Sequence, residues 1–294
     1  MTRFAAAAIP ILLGPFVLGQ QPSFHAETRL VIVHATVKNA RGELVTNLDR
    51  GAFTIYENGK RQPMTVFRRD DVPVSLGLLV DNSGSMRPLR TRVEAAALAL
   101  ARASNPDDEI FVVNFNDKVQ IDVPLTNDLG VLERGLARVD SVGGTAMRDA
   151  VDTAQTYLSE YGTRDRKVLV VVTDGIDNAS SSTRERIEKA AELHDTVIFA
   201  VGLFGHAERA GEGRHELDRL TERTGGAAFY PSDIGEIEPV ALTIAHEIRS
   251  QYTIGYTPLN QTLDGTYRSI RVAVSSKERT TVHARAGYRA TPAK

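Results

Sequence analysis

Residues 74–85 read VSLGLLVDNSGS. Val74 to Val80 is nearly continuous in apolar residues, and the chain then turns abruptly polar at Asp81. A strand with one wet face alternates, whereas a strand buried on both faces does not, and the second kind occurs in parallel sheets covered by helices. The same signature returns in VLVVV at 168–172 and VIFAV at 197–201, with IFVVNF at 110–115 as a further candidate. Helical stretches lie between these runs. Arg90 to Arg102 is rich in Ala and Leu, with Pro88 near its start, where proline is tolerated. Leu129 to Val139, Met147 to Tyr161, Glu185 to Leu193, His215 to Thr224 and Ile234 to Ile248 follow. Strands alternating with helices predict a doubly wound α/β domain with a mostly parallel sheet over residues 73–249.

On either side of this block the pattern is all-β. Leu30 to Val37 reads as a strand, and Phe53 to Tyr56 and Met64 to Phe67 alternate around Asn58-Gly59, a strong hairpin signal. The polar run Arg68 to Asp71 and Pro73 mark a boundary. After Gln251, Tyr252 to Tyr256, Tyr267 to Val274 and Thr281 to Tyr288 are short alternating runs, the first two separated by a turn at Asp264-Gly265. So few short strands bury little surface alone. Residues 250–294 are therefore expected to pack with 20–72 as one small β domain, into which the α/β domain is inserted.

Residues 1–19 differ from the rest. A positive start, Met1-Thr2-Arg3, precedes the apolar or small run Phe4 to Leu18, and Gly19 follows. This is the pattern of a secretory signal peptide cleaved near Gly19, with an uncleaved anchor as the alternative. A run of about 15 residues is short of the roughly 20 that a spanning helix needs, and Pro10 and Pro15 interrupt it. No later stretch is suited to span a membrane, so the mature chain is expected to be exported to the periplasm or the extracellular space. The 294 residues are 42% hydrophobic and 24% charged with net charge -2, the profile of a globular protein and not of a basic nucleic-acid binder. The absence of cysteine excludes disulfides, thiolate metal sites and cysteine catalysis.

Open α/β sheets bind ligands beyond the carboxyl ends of their strands. The first buried run ends in Asp81-Asn82-Ser83-Gly84-Ser85 and another in Thr173-Asp174-Gly175; Ser141-Val142-Gly143-Gly144-Thr145 precedes the helix near Met147. Asp81, Ser83, Ser85, Thr145 and Asp174 are all hard oxygen donors, suited to Mg²⁺, which takes octahedral oxygen ligands at about 2.1 Å, with Mn²⁺ or Ca²⁺ as alternatives. Gly84 permits a sharp bend. Only two of the five donors are carboxylates, so a bound ion would stay electron-poor and accept an outside carboxylate. Each loop alone is ordinary: a strand-to-helix turn, an N-cap at Thr145, a turn at Asp174. Their joint occurrence after suitable elements points to a metal site.

The set DNSGS at 81–85, GGT at 143–145 and TDG at 173–175 resembles the metal-ion-dependent adhesion site of von Willebrand factor type A domains, and the resemblance covers roughly residues 73 to 249. It implies direct coordination by Ser83, Ser85 and Thr145, direct or water-mediated coordination by Asp81 and Asp174, and completion of the shell by an Asp or Glu of a partner protein. FTIYENGK at 53–60, YTIGYTP at 252–258, DGTYRSIRV at 264–272 and ARAGY at 284–288 look like a bacterial family of exported von Willebrand factor A-related proteins.

Asn82, Asp149 and Asp177 are secondary candidates. Asp149 reads as stabilising its own helix, Asp177 as a solvated loop residue, and Asn116-Asp117 as a hairpin turn. A non-enzymatic adhesion or interaction module is the favoured reading, with a purely structural metal as the alternative. A hydrolase built on Ser83 or Ser85, Asp174 and one of His194, His206 or His215 lacks the glycines of a nucleophile elbow. A zinc protease lacks the second His of H-E-x-x-H at both His215-Glu216 and His246-Glu247. A metal-dependent phosphatase using the same five ligands would need a general base near Ser85, and none is evident.

Overall fold

The computed structural model describes residues 30–137, 141–205 and 210–291. The signal sequence read at 1–19, the last residues of the helix expected to reach Val139, and His206 lie outside them. The α/β block holds β5 (Val74–Asp81), α1 (Arg90–Ala103), β6 (Glu109–Phe115), β7 (Val119–Thr126), α2 (Leu129–Leu136), α3 (Met147–Tyr161), β8 (Arg166–Thr173), α4 (Arg184–His194), β9 (Thr196–Gly202), α5 (Ala210–Thr224), β10 (Ala228–Phe229) and α6 (Ile237–Arg249). Before it come β1 (Val31–Asn39), β2 (Phe53–Glu57), β3 (Lys60–Gln62) and β4 (Met64–Arg68); after it come β11 (Tyr252–Tyr256), β12 (Tyr267–Val274), β13 (Thr280–Ala284) and β14 (Gly287–Arg289).

The central sheet has the order β10-β9-β8-β5-β6-β7, parallel throughout except for β7, which runs antiparallel to β6. The unbroken apolar runs are explained by two cores, one on each face. Leu76, Leu78 and Val80 of β5 pack against α1, α2 and α6, while Leu79 packs toward α3, α4 and α5. Gly77 belongs to the second face: a Cβ there would stand 2.5 Å from the Phe111 ring and 2.6 Å from Leu169, so its missing side chain is the space those two fill.

The flanking segments form two four-stranded antiparallel sheets, β13-β1-β11-β4 and β14-β12-β2-β3. They share one core that includes Val33, Ile55, Tyr252, Ile254, Tyr256 and Tyr288. Both neighbours of β1 come from the far end of the chain: Val33 pairs with Ile254 and Val37 with Val282. The Asn58-Gly59 turn has positive φ at both residues, 48° and 77°, as a tight hairpin of matching twist requires.

Three expectations are corrected. The run Thr281 to Tyr288 is not one strand, because β13 pairs with β1 while β14 pairs with β12 in the other sheet. Arg285-Ala286 carries the chain across, and Gly287 follows where a Cβ would stand 2.3 Å from the Arg268 carbonyl oxygen. The helix expected from His215 begins earlier, at Ala210. The edge strand β7, with Pro124 inside it, was implied only by the hairpin turn at Asn116-Asp117, and the short β10 was not anticipated; proline in a strand is compatible with an edge position.

Candidate metal centre

β5 and β8 lie side by side in the middle of the sheet, with Val80 opposite Val172. From β5 the chain crosses to β6 through α1 on one face, and from β8 it crosses to β9 through α4 on the other. Diverging crossovers open a crevice at the carboxyl ends of the two strands. Asp81 closes β5 and Thr173 closes β8 at that crevice.

Asp81 is wholly buried. One carboxylate oxygen accepts the Ser83 backbone N–H at 2.7 Å and the other accepts the Thr173 hydroxyl at 2.6 Å. Burial pushes its pKa up to about 6, against those hydrogen bonds, and the charge of Asp174 pushes the same way as burial. The Ser83 and Ser85 hydroxyl oxygens are 3.1 Å apart, and Ser85 donates to Asp174 at 2.8 Å. Burial also raises the pKa of Asp174. Thr145 is buried, with its hydroxyl oxygen 2.9 Å from where a Cβ on Gly175 would stand, so glycine beside Asp174 is what lets the Thr145 loop approach. Hydrogen bonds thus link Asp81, Ser83, Ser85 and Asp174, and Thr145 stands against Gly175, the residue after Asp174.

Those loops are latched by backbone. Gly84 N–H donates to the Gly143 carbonyl at 3.2 Å, Val142 N–H to Asn82 at 2.9 Å, and Asn178 N–H to Thr145 at 3.0 Å. The Asn178 side chain accepts the Thr145 N–H at 2.9 Å, and Asp117 accepts the Gly144 N–H at 2.7 Å. Gly143 has φ of 79°, and a Cβ on it would run into the Asp117 carboxylate.

Asn116-Asp117 is a turn between β6 and β7, as read, but its polar groups also fix the Gly-Gly-Thr loop: Ala146 N–H donates to the Asn116 carbonyl at 2.7 Å. The sequence carried a signal for this. IFVVNF is a buried run ending in polar residues, the same feature that located Asp81 and Asp174. Asp177 is not a solvated loop residue, since it is buried and accepts the Arg148 N–H at 2.7 Å and the Ser180 hydroxyl at 2.6 Å. Asp149 lies in the first turn of α3, where a carboxylate favours the helix, but it is not the cap. It accepts the N–H groups of Ser181 at 2.9 Å and Ser182 at 2.7 Å, and although burial opposes them these bonds hold its pKa below the usual carboxylate range. Asn82 accepts from the Arg90 guanidinium, and Thr145 is no cap, because the N-cap position of α3 is Ala146. The glutamates of the two His-Glu pairs are held in ion pairs: Glu216 binds Arg148 through both oxygens at 2.6 and 3.1 Å, and Glu247 pairs with Lys38 at 2.5 Å.

Among the described residues no group of three or more His, Asp or Glu is gathered around a point. The donor set here is two carboxylates supplemented by hydroxyls. Among the same residues no Lys or Arg forms an ion pair with Asp81 or Asp174. A buried carboxylate without a counter-cation is costly, and a hard divalent cation among these oxygens fits that deficit.

Known proteins agree with this architecture. Residues 76–177 match the model of the von Willebrand factor type A domain. Calcium-activated chloride channel regulator 1 of Equus caballus is 28% identical over 164 residues, covering 53% of this chain; the chain spans 17% of that protein's length. A von Willebrand factor type A structure from Catenulispora acidiphila superposes with a TM-score of 0.54 at 12% identity, over 91% of this chain and 75% of that one. Proximal thread matrix protein 1 from the mussel byssus, in a form with a zinc-occupied MIDAS motif, gives a TM-score of 0.50 at 17% identity, over 65% of this chain and 49% of that one. Among the described residues no helix is long and apolar enough to cross a membrane. The α/β block between the two β segments thus has the von Willebrand factor type A fold, and residues 76–177 within it match that domain's family model.

Proposed function

We propose that the chain is an exported interaction module that binds a carboxylate of a partner protein through a divalent cation. Asp81, Ser83, Ser85, Thr145 and Asp174 would hold the ion, Mg²⁺ foremost, with Mn²⁺ or Ca²⁺ as substitutes. The single observation that carries this reading is Asp81: a wholly buried carboxylate at the sheet's switch point, repelled by Asp174 and, among the described residues, joined to no basic side chain. The bound ion would supply a positive coordination position. The protein's own part is to hold the oxygens. Thr173 and the Ser83 N–H orient Asp81, Ser85 is aligned by Asp174, and the Gly84–Gly143 and Thr145–Asn178 bonds keep the loops in register. The mussel byssus protein with its zinc-occupied MIDAS motif is a precedent for a divalent ion on this fold. In this reading residues 1–19 direct export, 73–249 form the binding domain, and 20–72 with 250–294 form its β support.

Titration calorimetry with Mg²⁺ on the wild-type chain and on Asp81→Ala tests the metal. Saturable heat is expected in the first and none in the second, and equal heats would sink the assignment. Capture of an acidic partner protein should then be lost in EDTA and restored by Mg²⁺. If EDTA lowered the melting temperature and left capture unchanged, the ion would be a loop clamp only.

A further inference from the structure

A cavity of about 440 Å³ lies where the β sheets meet the amino-terminal ends of β8 and β9. β8 connects it to the candidate metal centre. The strand begins at Arg166 on the cavity and ends at Thr173 against Asp81, about 23 Å away at roughly 3.3 Å per residue.

Ile32, Val66, Val72, Ala191 and Val197 make much of the wall apolar. His34, Arg166 and Thr196 interrupt it. Arg166 is 3% exposed. It donates to the Ile248 carbonyl at 2.9 Å, to the Gln251 side chain at 2.6 Å and, at 3.5 Å, to the Val72 carbonyl, all uncharged acceptors. Among the described residues no carboxylate comes within ion-pair distance of it. Asp108 and Asp71 act on it from farther off, while Asp108 accepts the Val74 N–H at 2.7 Å and Asp71 pairs with Arg249 at 2.7 Å. Burial lowers the Arg166 pKa to about 10, which still leaves it charged at neutral pH. Arg166 Nε and Thr196 Oγ1 are buried and without a hydrogen-bond partner, and orphaned polar atoms beside a cavity call for an explanation.

The remaining wall charges are largely matched. Glu188 pairs with Arg219 at 2.7 Å, Glu192 with Arg223 at 3.1 Å, and Asp195 with Arg285. Arg68 and Asp165 are exposed and of opposite sign. His34 stays neutral, because burial first, then Arg166 and Arg285, push its pKa down to about 3. What is left is one buried guanidinium against an apolar wall, in a space of the size that small-molecule sites occupy.

We propose that this cavity binds a small amphiphilic monoanion, an aliphatic carboxylic acid whose carboxylate faces Arg166 and whose chain lies against Ile32, Val66 and Val197. One uncompensated positive charge matches one carboxylate. A phosphate dianion would leave surplus charge in poorly hydrated surroundings, and an alcohol would leave the guanidinium unmatched. The site is independent of the metal reading.

Calorimetry on the full chain with decanoate, 1-decanol and decyl phosphate, in EDTA so that no metal-bound carboxylate contributes, tests the proposal. Decanoate is expected to bind saturably at one site, in wild type and in Asp81→Ala alike, and more tightly than either comparison ligand. Ile32→Trp, which fills the space, and Arg166→Met, which removes the charge, should each weaken decanoate by roughly tenfold or more. In Arg166→Met the advantage over decanol should vanish. Absence of saturable decanoate binding to wild type, or unchanged binding in Ile32→Trp, overturns the site. Decanol or decyl phosphate binding as tightly as decanoate overturns the monoanion assignment. If circular dichroism shows Arg166→Met unfolded, Ile32→Trp and the wild-type ligand series still decide the outcome.

Discussion

At the scale of single residues, burial decides which charges the fold tolerates. Asp81 and His34 show opposite responses. The carboxylate is pushed up toward its neutral form and the imidazole is pushed down and kept neutral. For His34 the consequence for stability has a definite sign. Its folded pKa, about 3, lies below the 6.5 of the unfolded chain, so below pH 6.5 the unfolded state takes up a proton that the native state refuses. Its contribution is therefore complete above 6.5 and is lost as pH falls toward 3, at about 1.4 kcal/mol per unit once well inside that window. His34→Gln should remove this slope. Urea unfolding of both chains from pH 7 to pH 4 is expected to show the wild-type advantage shrinking with acid, and a difference independent of pH would refute the assignment. Legibility at this scale was uneven. Asp81, Ser83, Ser85, Thr145 and Asp174 could be read because each follows a recognisable element. Asp117 stood within reach of the same reading, at the end of the buried run IFVVNF, whereas Asn178 did not, since a side chain accepting a backbone N–H from a distant loop leaves no periodic trace.

At the scale of elements, the unbroken apolar run was the informative feature. It placed β5, β8 and β9 in the sheet interior, where both faces are covered. The limits of that signal are also visible. β7 sits at the sheet edge with a mixed burial pattern and a proline, so it has neither the unbroken run nor clean alternation. The sheet change at Arg285-Ala286 escaped because alternation continues through it while the partner strand changes. Gly77 tests the two-core account of β5. With Phe111 and Leu169 occupying the place of its side chain, Gly77→Ala overpacks a closed layer and should cost about 1–3 kcal/mol. The midpoint of a urea titration reads this, and a neutral or stabilising result would mean the layer has room. Because Gly77 lies away from the carboxyl end of β5, the proposed Mg²⁺ binding should be the same in the variant as in wild type.

At the scale of the whole molecule, the two ends of the chain complete one another around the inserted domain. β1 lies between β13 and β11, β4 pairs with β11, and β2 pairs with β12, so the amino-terminal segment has most of its strand neighbours in the carboxyl-terminal one. The seam to the α/β domain is tied by Lys38 to Glu247 at 2.5 Å, by Arg249 to Asp71 at 2.7 Å, and by Gln251, which donates to Thr36 at 3.1 Å while accepting from Arg166. Covalent continuity at residues 70–72 is thus not what holds the amino-terminal strands in place. A chain cut by a protease site introduced there should run in gel filtration as one species under native conditions and separate in denaturant. A free amino-terminal fragment emerging without denaturant would show that the pairing with β11, β12 and β13 is too weak to hold it. The complementary experiment removes the partners: a chain ending at Ser250 loses both neighbours of β1, and an unpaired β1 beside a half-built core cannot bury Val33, Ala35 and Val37. Residues 31–68 should then become sensitive to protease while the α/β domain resists, and equal resistance of both regions would overturn this account of how the ends are joined.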